Sequence, residues 1–194
     1  YTCYSNDFSI VEIPHVNAIY RHTCFDALPE IPREWRIAIY IGSHAEFTEN
    51  QVREINRFCA TYDAAVYCDH TSGYRGRYEV HYQLSAGQKL WASELKKVDL
   101  MIHIGEVSGD QFLPSFKHVW RVSPDGELRD TWGNLRRVFM MPEEEFFKRY
   151  SDENAFHTEY VDALNAEIQE IERRIPDLPF SNIWMAQQMH TLLP

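Results

Sequence analysis

The sequence predicts a three-layer α/β fold built on a mostly parallel sheet, with extra helices at its C-terminal end. Three observations predict it. Two short apolar runs end in glycine, Arg36 to Ile41 before Gly42 and Asp99 to Ile104 before Gly105. Unbroken apolar runs are the mark of strands buried on both faces. Segments with helical periodicity separate the runs, and alternating strands and helices give a parallel sheet covered on both sides, a Rossmann-like arrangement. Finally, 194 residues with 44% hydrophobic content suffice for one domain that buries well over half of its unfolded surface without disulfides or metal.

From Tyr1 to Glu34 the chain is rich in Pro, His and aromatics, and Pro14, Pro29 and Pro32 break any long element. It reads as a linker or arm. After the strand at Arg36 to Ile41, Thr48 and Gln51 have the spacing of a capping box, and Val52, Ile55, Phe58 and Cys59 recur on one helix face. Ala64 to Cys68 is the next strand. A glycine-punctuated loop, Thr71 to Arg77, leads to Leu90, Leu95 and Val98 on a short helix, and then to the strand Asp99 to Ile104. His118 to Val122 and Arg137 to Met140 are two further strands, separated by the turn Pro124-Asp125-Gly126. Pro142 opens a helix at its favoured first position, with Glu143, Glu144 and Glu145 complementing the dipole and Phe146 and Phe147 facing inward. A longer helix is expected over Asp152 to Ile175, with Phe156, Tyr160, Leu164, Ile168 and Ile171 on one face and Pro176 as its stop. Ser181 then caps a last helix carrying Ile183, Trp184, Met185, Met189 and Leu192. So many large apolar groups on a terminal helix imply a missing partner surface. The start at Tyr1 and the stop at Pro194 read as those of a piece cut from something longer.

Nineteen Lys and Arg against 29 Asp and Glu give a net charge of −10. This opposes binding to phosphate backbones or anionic lipid, so neither nucleic acid nor a membrane is expected as partner. No apolar run approaches the length of about 20 residues that spans a bilayer. Cys3, Cys24, Cys59 and Cys68 are irregularly spaced, without a C-x-x-C pair, which suits a reduced, cytoplasmic protein. Cys59, Cys68 and His70 would be three soft metal ligands, but closed zinc sites use paired ligands, so no metal site is expected.

The candidate ligand pocket is the mouth of the sheet, where Gly42-Ser43-His44 follows one strand and Gly105-Glu106 another. Ligands of open α/β sheets bind at such strand ends, and the helix starting at Thr48 has amides to offer an anion. Single glycines at strand ends are also ordinary turn residues, and G-x-G-x-x-G is absent. In the loop Thr71 to Tyr78, Arg75 and Arg77 alternate with aromatics and are candidate anion or inter-domain contacts; the alternative is a surface loop. His44 and His103 suit hydrogen-bonded rim or core positions. No G-x-S-x-G elbow supports nucleophilic catalysis, and no catalytic residue is assigned.

Arg36 to Gly42, Asp99 to Gly105 and Trp120-Arg121-Val122-Ser123-Pro124-Asp125-Gly126-Glu127 together resemble the central domain of thiamine-diphosphate-dependent enzymes. Tyr4-Ser5-Asn6-Asp7-Phe8 with Ile13-Pro14 resembles the linker leaving the pyrimidine-binding domain of that family. Leu178 to Gln188 resembles the opening of its diphosphate-binding domain, most of all in the 2-succinyl-5-enolpyruvyl-6-hydroxy-3-cyclohexene-1-carboxylate synthase family of menaquinone biosynthesis. The resemblance implies a linker over 1–35, a central α/β domain over 36–150, and a helical linker with the start of the next domain over 151–194. It implies a parent, homo-oligomeric enzyme that uses thiamine diphosphate and magnesium to decarboxylate a 2-oxo acid and transfer the product to an acceptor. The family's activating glutamate and its G-D-G motif lie in the flanking domains. Gly109-Asp110-Gln111 is only a fragment of a look-alike, so this piece is expected to be an inactive scaffold without cofactor. Some relatives bind FAD or ADP in the central domain. The alternative reading is therefore a nucleotide-binding or regulatory domain of an acetolactate-synthase-like enzyme, using Gly42, Gly105 and Arg75; a third is a purely structural module with an apolar patch around Trp184 and Met189.

Overall fold

The computed structural model describes residues 18–68, 71–88, 90–106 and 114–192. Cys3, Tyr4 to Phe8, Ile13-Pro14, His70 and Gly109-Asp110-Gln111 lie outside them. Seven strands form one sheet: β1 (Tyr20–Thr23), β2 (Ile37–Ile41), β3 (Ala65–Cys68), β4 (Glu79–Val80), β5 (Lys97–Ile104), β6 (Ser115–Val122) and β7 (Leu135–Met140). Their order is β1-β7-β6-β5-β2-β3-β4, and every pairing is parallel. Beyond the central β2–β5 pair the chain winds outward in both directions, which makes the fold doubly wound. All five residues of β2 are buried, as an apolar run without alternation requires of a strand covered on both faces.

Helix α1 (Glu49–Tyr62) begins with the expected capping box, formed in both directions between Thr48 and Gln51. Asp63 closes it in a left-handed conformation, φ 50°, which a short polar side chain tolerates. Helix α3 (Glu143–Tyr150) packs beside α1 on the same face of the sheet. Phe58 meets Phe147 at 5.2 Å, and Phe146 meets Phe139 of β7 at 4.8 Å. Each of these fully buried rings contributes about 2 kcal/mol relative to exposure. Helices α2 (Gln83–Gly87) and α4 (Glu159–Arg173) pack together on the other face. There the Tyr67 and Tyr160 hydroxyls are 2.8 Å apart, and Tyr82 donates to Glu167 at 2.6 Å.

Four expectations change. Tyr20–Thr23, inside the segment read as an arm, is an edge strand on β7, fastened where Arg149 donates to the carbonyls of Cys24 and Asp26. Leu90, Leu95 and Val98 share no helix. Leu90 is fully exposed, Leu95 lies in a single 3-10 turn (Glu94–Lys96), and Val98 already belongs to β5. Their five- and three-residue steps do not repeat with the helix. Two-residue β4 has no apolar run to announce it. Helix α4 starts at Glu159 rather than Asp152, because the Asp152 carboxylate accepts the Asn154 N–H and holds a turn, leaving Phe156 exposed ahead of the helix. The last helix, α5 (Asn182–Leu192), forms as expected, with the Trp184 N–H donating to Ser181 Oγ at 3.2 Å.

Candidate functional site

The winding reverses direction between β2 and β5, so the crevice beyond their carboxyl ends is where an open α/β sheet takes a ligand. Gly42, Ser43, Gly105 and Glu106 come together there. The Ser43 N–H donates to the Glu106 carbonyl at 2.9 Å, and the Glu106 N–H donates back to the Ser43 carbonyl at 2.8 Å. The Gly42 N–H donates to Ile104 and the His44 N–H to Thr71. Among the described residues of this mouth, the amides of Gly42, Ser43, His44 and Glu106 are thus engaged by backbone carbonyls. At the start of α1, the side chains of Thr48 and Gln51 take up the Gln51 and Thr48 amides, and Glu49 adds negative charge.

Glu106 is clasped from one side by Arg129 and faced from the other by Arg121, whose Nη2 lies 3.8 Å away. Arg121 projects from β6 and is 1% exposed. Its Nη1 donates to the Gly105 carbonyl at 2.9 Å and lies 3.3 Å from Nδ1 of His103. His103, its register partner on β5, is wholly buried between Tyr40 and Trp132. Burial, with the charges of Arg121 and Arg129, pushes the His103 pKa down to about 3, so the ring is neutral. With Nδ1 accepting from Arg121, its proton sits on Nε2, which has no acceptor among the described residues. Burial also lowers the Arg121 pKa. This arrangement is a charge-compensated clasp joining the ends of β2, β5 and β6. A neutral, enclosed imidazole and a compensated guanidinium offer no general base.

His44 faces the start of α3. Its Nδ1 lies 2.7 Å from the Ala45 carbonyl, Nε2 lies 3.6 Å from Glu143, and the ring stacks on Phe47 at 4.1 Å. The Glu143 carboxylate holds the His44 pKa above its ordinary value. Glu143, read from sequence as a solvated helix start, is buried; burial opposes its ionisation, but hydrogen bonds from His44 and its own amide outweigh that and lower its pKa. Arg75 points elsewhere, pairing with Glu79 at 3.3 Å on the wall of a cleft beside α1 that Arg77 shares.

Among the described residues no group of three or more His, Cys, Asp or Glu is placed to hold a metal. Burial pushes the Cys59 thiol well up, making it an inert core residue. Sequence reasoning missed Arg121; the available signal was an arginine inside a buried strand, where charge requires partners. No described helix is long and apolar enough to cross a membrane. No family model matches the chain, and no curated protein matches it significantly.

Proposed function

We propose that this chain is the central scaffold module of a thiamine-diphosphate-dependent carboligase or decarboxylase resembling the menaquinone-pathway synthase, inactive by itself. The observation that carries the reading is the mutual engagement of Ser43 and Glu106 at the mouth of the sheet. In a doubly wound domain that binds a nucleotide, the switch point presents unengaged amides to phosphate. Here the Ser43 and Glu106 amides bond each other's carbonyls, and the Glu106 carboxylate stands between two guanidiniums. The segment Leu178 to Gln188, which carries the most specific resemblance, is solvent-facing at Phe180 (80% exposed) and Ile183, as a segment leading onto another domain would be.

The described residues do not fit thiamine diphosphate or magnesium, for want of free phosphate donors at the mouth and of a carboxylate cluster. In the parent that cofactor would act as the electron sink for decarboxylation, held by the flanking domains. This chain's contribution is rigidity: a sheet clasped at its centre that fixes the neighbouring domains and takes part in an oligomer interface.

Calorimetric titration of this chain with FAD, ADP, NAD and thiamine diphosphate plus magnesium, beside the same titration of a full-length parent, tests the reading. The chain stays silent and the parent binds thiamine diphosphate. Saturable FAD or ADP binding by the chain would replace the scaffold reading with the nucleotide-domain one; a parent that ignores thiamine diphosphate would end both.

A further inference from the structure

We propose that the cleft alongside α1 binds a small monoanion with a long apolar body, a medium- or long-chain carboxylate. This goes beyond the scaffold reading and does not depend on it. The cleft is open to solvent along its length and has a volume of about 620 Å³, within the range of small-molecule sites. Val52 and Ala60 lie along its α1 side with Asn56 between them, its Oδ1 accepting from the Tyr74 hydroxyl, and Phe47, Tyr78 and Phe156 add apolar wall. The α1 lining runs from Glu49 to Ala60, about 17 Å at 1.5 Å per residue, so the space is elongated. A linear body fills it better than a compact one.

The charges fix the head group. Arg53 and Arg57 both pair with Glu54, Arg57 also reaches Glu153 at 2.8 Å, and Arg75 pairs with Glu79. Arg77 differs. It is exposed, its guanidinium lies over the Phe156 ring at 4.6 Å, and no carboxylate pairs with it among the described residues. One unmatched guanidinium selects one negative charge, and its planar fork suits a carboxylate. Glu46 and Glu49 line the opposite end and repel an anion there, while at the Arg77 end the Asp152 carboxylate accepts the Asn154 amide and Glu153 is paired with Arg57. The polarity follows: the head sits at Arg77 and the chain runs toward Phe47.

The test is calorimetric titration of the 194-residue chain with decanoate, decanol and benzoate. Decanoate binds at one site, and both decanol, which lacks the charge, and benzoate, which lacks the length, bind about tenfold more weakly or worse. Arg77→Gln brings decanoate down to the decanol level, and Phe156→Ala also weakens it. Both side chains are exposed, so both variants fold, and unchanged circular dichroism verifies that. Absence of decanoate binding, decanoate binding that survives Arg77→Gln, or benzoate binding as tightly as decanoate would each overturn the proposal.

Discussion

At Gly105 the backbone has φ +75°, and an added Cβ would lie 2.8 Å from the Ser43 carbonyl oxygen. A β-branched side chain therefore meets both a left-handed conformation and the strand opposite. Gly105→Val is expected to cost about 2 kcal/mol or more, lowering Tm by about 4–8 °C. A thermal melt matching wild type would mean that the close approach to Ser43 does not exist. The clasp beside it shows where sequence stops informing at this scale. His103 and Arg121 were each visible as polar residues in apolar runs. Their pairing across 18 positions was not, because the β5–β6 register is set by packing between distant segments.

The start of helix α1 was legible to the residue, since its capping box is a local bond between Thr48 and Gln51, and its buried face follows the helical period. Thr48→Ala removes the side chain that accepts the Gln51 amide and is expected to cost about 1 kcal/mol, seen as a Tm lower by about 2–4 °C. An unchanged Tm would show the cap to be dispensable. Helix α4 was less legible because two local preferences compete over residues 152–158, an apolar repeat that continues the helix and an Asp152 turn that delays it. The repeat predicted Phe156 inside, whereas the turn leaves it under Arg77 at the rim of the cleft. Strand β1 was illegible for a different reason. Four mixed residues become a strand only because β7 presents an unpaired edge and Arg149 ties down the carbonyls that follow.

Across the whole molecule, the link between the loop after β2 and the start of α3 has a definite pH dependence. Glu143 raises the His44 pKa above 6.5, so the histidine's share of the stability is complete below about pH 6.5 and fades as pH rises through the raised value. Glu143 titrates below its ordinary 4.5, so its share is present above that value and is lost as pH falls through the lowered one. The Tm difference between wild type and Glu143→Gln should therefore be greatest between about pH 4.5 and 6.5 and shrink on either side. A difference that stays the same from well below pH 4.5 to well above pH 6.5 would show the pair to be uncharged. Buried His103 acts oppositely in both proteins: the unfolded chain takes up its proton below pH 6.5 and the native state does not until about 3, so acid favours unfolding. By itself the sequence determined the α/β class, the central strands, the turn at Gly126 and the cap of α1, because apolar periodicity and capping are read within a few residues. The tertiary structure alone decided the strand order, the mutual closure of Ser43 and Glu106, the burial of Arg121 and Glu143, and the cleft beside α1. Each of those depends on which distant segments share a face of the sheet, and that is set by the packing of the whole chain.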